Sequence, residues 1–545
     1  MVATAMADLD RLLDEAEARQ LPALIADWAE RDGYRWIARA LRLDLALLVE
    51  HPELALPCIH RRCAWLGADD ESRFFRELPP SPPDAGMLRA RVQAWLERWS
   101  PGRRWLRSLR PQPIPLDTAV VEEYRTSVEG RLAFSVDGAV VGVLGGAASI
   151  AWERVTGRRI DDTSKLAAAP CYPEWDVDRD AGDGHLVMRC ADEPRAIELA
   201  IDRHEHAMYA RALSDTLVIV SARDGDDAPS YYLVDVAARA IVNRGDRWSD
   251  AACSPTGDHI YVGDTDGLTV FSTRTGRWAL WRGPAVRQVV VAPNGTVATR
   301  SGPVIRIWEG AQTNAGAARY RMRSAQPALW SPDGERVITS GLLCDARSGR
   351  LVAELETFDP RGVIEGGPPT GYAQLCNGVY VEALPRWLRI WDTRSGELVV
   401  EDRTRGAFGL DAIAIDPQGR HFARYHGRRV EITTLREGDV VTSHTCAPKK
   451  PWPPELQFSA DGAQLAWWFE HDGPRFVVAI AEPSIVRELA GDAPLPPAWR
   501  PREATVDGGL LVVDGAVLPF DEDAATMSPD GRSFAGAWSH VRLER

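Results

Sequence analysis

Three small groups of side chains stand at spacings that could do chemistry. Asp176, Asp178 and Asp180 alternate along the chain and are followed by Gly182-Asp183-Gly184. Alternating carboxylates converge on a hard cation such as calcium, which makes Asp176, Asp178, Asp180 and Asp183 the metal candidates. An EF-hand loop wants glycine sixth and a bidentate glutamate twelfth. Those places hold Ala181 and Val187, so a solvated acidic turn is the plainer reading. Cys58, His60 and Cys63 are zinc-ligand types, but a structural zinc takes four ligands and the customary second pair is missing. Packed helix cysteines are the favoured reading there. His204 and His206 share one strand face and lack a third ligand. No cofactor is expected.

Covalent and phosphate chemistry leave no trace. The chain has no Gly-x-Ser-x-Gly elbow, no Walker loop and no His-Glu-x-x-His helix. The expectation is a protein that is not an enzyme. The remaining chemical feature is an arginine-tryptophan segment. Residues 86–110 hold seven arginines against Glu97 alone, interleaved with Trp95, Trp99 and Trp105. Trp95, Trp99, Arg103, Arg104, Trp105 and Arg107 are the partner-contact candidates, as a docking surface for an acidic protein. Tryptophans at i and i+4 also suit an ordinary helix core, with the arginines meeting the chain's own acids. This internal reading is the favoured one.

Charge narrows the partners. The 545 residues carry 64 basic and 78 acidic side chains, a net −14, and only Lys165, Lys449 and Lys450 are lysines. Residues 1–110 are neutral as a whole, so the excess acid lies beyond them. Such a balance argues against general nucleic-acid binding, which rests on neutralising phosphates. The apolar stretch Gly138–Trp152 is too short to span a bilayer, so no membrane partner is expected. The first residues lack a basic, then apolar, leader pattern. Eight cysteines are scattered thinly, as in a reduced, cytoplasmic protein.

The elements that must position these residues fall into two periodicities. Residues 1–110 repeat apolar positions at helical spacing, as in Leu9, Leu12, Leu13 and Ala16 or Leu88, Val92, Trp95 and Trp99, with a proline-rich loop at 79–83. Pro111 to Pro115 form a linker. From 116 to 545 the pattern is short alternating strands. Turns of one type recur at Phe134-Ser135-Val136-Asp137-Gly138, Cys253–Gly257, Val291–Gly295, Trp330-Ser331-Pro332-Asp333-Gly334, Ile415–Gly419, Phe458–Gly462 and Met527–Gly531. Proline presets φ, Asp or Asn favours the turn, and glycine takes the positive φ. Spacings of 38 residues (257 to 295), 39 (295 to 334) and 43 (419 to 462) belong to four-stranded propeller blades.

With Trp387-Leu388-Arg389-Ile390-Trp391-Asp392 and the Thr393-Arg394-Ser395-Gly396 turn after it, these units resemble WD40 repeats. Trp391-Asp392 is the sole Trp-Asp ending and no unit opens with Gly-His, so the family's internal hydrogen-bond network does not carry over. Leu24-Ile25-Ala26-Asp27-Trp28-Ala29-Glu30-Arg31-Asp32-Gly33 resembles the repeat-companion segment at the start of many bacterial repeat proteins. The expected fold is an all-β propeller, WD40-like, of seven or eight blades with nine candidate units, preceded by a small all-α domain. Closure is expected between the strand near residue 120 and the C-terminal Val541-Arg542-Leu543.

The resemblance implies a non-catalytic protein-protein scaffold, or a regulatory subunit of a bacterial multicomponent assembly such as an NTPase or defence system. Its partners would be other proteins, with no small-molecule substrate. The alternative is a small-ligand or metal-binding sensor or enzyme using the propeller channel.

Overall fold

The computed structural model describes residues 2–544 apart from 67, 69–74, 78–83, 111–119, 146–147, 167–174, 179–184, 191–195, 202–204, 225–228, 246–248, 265–266, 283–284, 309–318, 321–327, 340, 356–371, 385–386, 403–411, 427, 447–453, 470–473, 491–493, 496, 499–501, 521, 523–524 and 537–539. The chain divides into two compact units. One comprises Met1–Tyr320, Thr505–Asp523 and Leu543–Arg545; the other comprises Arg321–Ala504 and Ala524–Arg542.

The first unit begins with six α-helices: α1 (Val2–Glu17), α2 (Leu21–Ala29), α3 (Arg35–Leu43), α4 (Leu45–Glu50), α5 (Ala55–Cys63) and α6 (Ala85–Trp99). The apolar stripes read from the sequence are the faces they bury. Leu9, Leu12, Leu24, Trp28, Ile37, Leu41, Leu88, Val92 and Trp95 share one core. Trp28 anchors it, with the rings of Tyr34 and Trp95 at 5.1 and 6.1 Å. Pro52 lies just beyond the end of α4, as its missing N–H and fixed φ require. The same core continues into Val120, Leu268, Val289 and Trp308 of the sheets. Helices and sheets of this unit therefore bury one surface together.

A small three-stranded sheet is formed by Val506–Asp507, Leu510–Val513 and Ala516–Pro519, and five larger antiparallel sheets follow the helices in this unit. They span 131–160, 175–200, 205–245 and 250–282, and the fifth contains Gln288–Val291, Val297–Ser301 and Val304–Trp308. The outermost strand of the fifth sheet is Val120–Arg125, with Ile305 opposite Tyr124 and Arg306 opposite Glu123. That fifth sheet abuts the first. Gln288 accepts the Leu132 N–H at 3.0 Å and donates to the Gly130 carbonyl at 2.9 Å. The strand near 120 thus closes on Val304–Trp308 rather than on the expected Val541–Leu543. The physical reason is side-chain chemistry that turn spacing does not encode: Glu123 is buried and needs Arg306 across from it.

The second unit holds five more sheets. Four are four-stranded, over 329–354, 372–402, 412–445 and 455–489, and the fifth is built on Arg502–Ala504, Ala525–Met527, Ser533–Ala535 and the start of His540–Glu544. First and last adjoin here too, where the Trp330 indole donates to the Thr526 hydroxyl at 2.9 Å. The architecture is an all-β propeller type with a small N-terminal helical region. Among the described residues the first unit contains six sheets of three or more strands and the second five, where turn motifs gave seven or eight blades from nine candidate units. The motif-poor region of 184–242 divides between the sheets of 175–200 and 205–245.

The recurring turns have a common internal staple. Ser135, Ser331, Ser459 and Ser528 each donate to the Asp two residues on, at 2.5–2.6 Å. Each also accepts the N–H five residues on, at 2.9–3.0 Å. In the fifth turn Asp416 stands where the serine would be, fully buried, accepting from Gln418 N at 2.9 Å and Arg420 Nε at 3.1 Å. Gly462 follows from this: a Cβ there would lie 1.8 Å from the Asp416 carboxylate, and its φ is +67°.

Candidate functional site

The sequence candidates separate once placed. Trp95 is fully buried and Trp105 nearly so, which makes both of them core residues rather than contact surface. Trp99 is partly buried, edge-on to Trp105 at 6.3 Å, with the Arg103 guanidinium over its ring at 5.1 Å. Arg103, Arg104 and Arg107 are exposed. Two of them face acids of their own unit: Arg104 with Asp514 and Arg107 with Glu544, both at 3.9 Å. The segment thus combines a buried tryptophan face with a solvent-facing arginine face.

Asp176 accepts the Val177 N–H at 2.9 Å, and Asp178 pairs with Arg189 at 3.2 Å. Asp180 and Asp183 lie outside the described residues, as do His204 and the side chain of His206. Among the described residues no three His, Cys, Asp or Glu side chains come together in a way that could hold a metal ion. Cys58, His60 and Cys63 are all buried on α5. Burial pushes the Cys63 thiol up to about 12 and lifts that of Cys58 as well, so both are neutral packing groups at neutral pH. Burial, with the nearby Arg107 charge, lowers His60 to about 4, and its ring stands edge-on to Trp105 at 5.5 Å. Among the described residues no helix is long and apolar enough to cross a membrane.

The densest chemistry is one that the sequence reading did not pick out. On the strand Val120–Arg125, Glu122 and Glu123 point into the body of the first unit and are buried. Arg62 of α5 forks onto both oxygens of Asp44 at 2.7 Å and reaches Glu123 at 2.7 Å. Arg306 meets the other Glu123 oxygen at 3.2 Å, and Arg125 approaches the oxygen held by Arg62 at 3.4 Å. Glu122 accepts from Arg42 at 2.7 Å, from Arg154 at 2.9 Å and from the Tyr124 hydroxyl at 2.8 Å. Burial raises the Tyr124 phenol well above its ordinary value, and the Glu122 charge adds to it, so it serves as a donor. Charged pairs of this kind are tolerated inside only when every partner is in place. The signal was present in the chain: two adjacent acids in Val120-Val121-Glu122-Glu123-Tyr124, and a lone arginine inside Val304-Ile305-Arg306-Ile307-Trp308.

This network joins the helices to the closing strand and first sheet, and a cavity of about 310 Å³ opens beside it. Its lining draws on α4, on residues 123–128, on the 150–159 hairpin and on the 507–510 loop, all of the first unit.

No family model matches the chain, and no curated protein does. Solved structures do resemble it. One is the dihydro-heme d1 dehydrogenase NirN, at 17% identity over 60% of this chain and 76% of the other, with a TM-score of 0.23. Another is the β-propeller domain of Cps50 (Swd1) from Myceliophteria thermophila, at 11% identity over 62% of this chain and 95% of the other, with a TM-score of 0.21. At those scores neither informs the function, and the fold assignment stands on the succession of antiparallel sheets.

Proposed function

We infer that this chain is a non-catalytic scaffold that binds other proteins through the outer strands of its sheets. The observation that carries this reading lies in the second unit. Leu398 and Val399, on the outermost strand of one sheet, are 45% and 48% exposed. Val440 on the outermost strand of the next sheet is 59% exposed, and Ile485 beside that of the one after is 52% exposed. Three consecutive sheets thus present large apolar side chains at corresponding places, and grouped exposed apolar residues mark interaction surfaces. Beside them along the chain stand the exposed acids Glu397, Glu437, Asp439, Glu482 and Glu488 and the exposed arginines Arg394, Arg436 and Arg487, an acidic excess. The surface suits a partner segment that mixes apolar and basic residues.

Turns of successive sheets in this unit are hydrogen-bonded to one another. Asn377 accepts from the Asp333 N–H at 3.0 Å and donates to Gln418 at 2.8 Å, and Gln418 donates to the Ala460 carbonyl at 3.1 Å. A rigid platform loses little conformational freedom on binding. On this reading the sheets are degenerate WD40 blades and the N-terminal helices the repeat-companion segment. The protein would then serve as a regulatory subunit of a bacterial cytoplasmic assembly, for example an NTPase or defence system.

The test is co-purification from the native host with the full chain and with a Leu398→Asp, Val440→Asp, Ile485→Asp variant, whose exposed positions leave folding intact. A stoichiometric partner held by the first and lost by the second supports the reading. A chain that migrates alone in native extracts overturns it.

A further inference from the structure

The last strands of the four-stranded sheets in the second unit are open edges. Such an edge pairs readily with another strand unless it is short, charged or broken by proline. Three of the four are guarded. Leu351–Glu354 ends on an acid, Leu398–Asp402 ends on two, and Val486–Leu489 holds Arg487 and Glu488. Val440–Thr445 is the longest of the four and contains no acid, lysine, arginine or proline. Burial holds His444 below its ordinary value, so this strand is uncharged at neutral pH. A bulge falls at Val441, because Thr442 pairs with Ile432 and Val440 with Thr433. Thr442 to Thr445 keep a regular edge beyond it.

The two ends of this strand carry opposite charge. The exposed Glu437 and Asp439 precede it. The exposed Arg428 and Arg429 stand at its far end, where Arg429 is opposite Thr445 and the Arg428 carbonyl accepts the Cys446 N–H at 2.8 Å. Among the described residues none of these four side chains forms an ion pair. The neighbouring Arg436 and Glu431 are already occupied, by Asp392 at 3.6 Å and Arg424 at 2.9 Å.

We propose that two copies of this chain associate by antiparallel pairing of Val440–Thr445 with itself about a two-fold axis. That arrangement sets the acidic start of each strand beside the basic end of the other, twice over. Parallel pairing would set like charges together. Arg429 lies one strand in, and its side chain reaches across the strand spacing of about 4.8 Å toward the acids of the other copy. Main-chain hydrogen bonds supply the contact, as in strand addition generally. A patch that complements itself closes as a dimer. The inference does not depend on the scaffold reading, because it needs no second protein.

Sedimentation equilibrium of the purified full chain tests it. The molar mass is expected to rise from 60.1 kDa toward twice that value with concentration, with a Kd on the order of 10 µM at low salt. Salt should weaken the dimer by screening the end charges. Ser443→Lys, at an exposed edge position, should hold the chain at 60.1 kDa. Arg428→Glu with Arg429→Glu should do the same, as should Glu437→Lys with Asp439→Lys. An equimolar mixture of these two charge-reversed chains should dimerise again, since each then faces its opposite charge at both ends. A misfolded variant would not give that rescue. The proposal falls if the parent chain stays at 60.1 kDa at about 100 µM, if any variant alone dimerises like the parent, or if mixing fails to restore the dimer.

Discussion

At the residue scale, the energetic weight of the first unit is concentrated on Glu123. Its carboxylate neutralises Arg62 and Arg306 at positions where neither guanidinium can find water. Replacing it with glutamine removes the counter-charge that Arg306 and Arg62 share, Arg62 keeping its pair with Asp44, and breaking a buried pair in this way costs about 3–5 kcal/mol. Chemical denaturation of Glu123→Gln should show a loss of that size; a loss below about 1 kcal/mol, the range of surface pairs, would contradict the burial. His60 makes a second prediction. Its folded value of about 4 lies below the ordinary imidazole value of 6.5. Between those values the unfolded chain takes up a proton that the folded chain refuses, so stability falls as pH drops from 6.5 toward 4 and is unaffected above 6.5. The full loss is about 3 kcal/mol, at 1.36 kcal/mol for each pH unit of the gap. Denaturation midpoints at neutral and acid pH should show this fall, and His60→Phe should remove that share of it. An unchanged acid sensitivity in the variant would mean that another group titrates.

At the scale of elements, the strand-turn-strand staple is the device repeated most often. Ser528 is 1% exposed and receives the N–H of Ser533, which is equally buried. Ser528→Ala removes the acceptor and leaves that buried donor unsatisfied, at a cost of about 1–3 kcal/mol. The same substitution at Ser254, whose turn ends in Thr256-Gly257 and has no Asp to accept its hydroxyl, should cost less. Equal losses at the two sites would show that the Asp contributes nothing. The turn motifs were legible in the sequence because proline, aspartate and glycine at fixed offsets have a mechanism that is local. The sheets of 175–200 and 205–245 were harder to separate because their turns lack that signature. At the turn between the first two strands of the latter, Ser214 caps with its own hydroxyl, accepting the Leu217 N–H at 3.1 Å.

For the whole molecule, the division into two compact units predicts how the protein melts. Each unit has its own core and its own first-to-last sheet contact, so each should unfold as a cooperative block. Calorimetry should resolve two transitions. Glu123→Gln should lower one and Ser528→Ala the other, because the two residues belong to different units. A single transition shifted by both variants would show one cooperative block instead. The net charge of −14 adds a condition at this scale: partners with basic segments should associate faster at low salt than at high salt.

What the sequence determined by itself was whatever depends on near neighbours along the chain. Helical stripes, alternating strands and Ser-x-Asp-Gly turns are all written within a few residues, so the propeller class and the helical N-terminal region could be read directly. Burial of Trp95 was readable too, from its place on the α6 stripe. The partner of the strand at 120–125 was not, because 304–308 lies far along the chain and only three-dimensional packing brings Arg306 opposite Glu123. The same holds for the buried ion network and the cavity beside it. Their members come from α3, α4, α5, two sheets and the 507–510 loop, and no local pattern links them. Tertiary structure decided these because a buried charge is stable only where distant parts of the chain supply its counter-charge together.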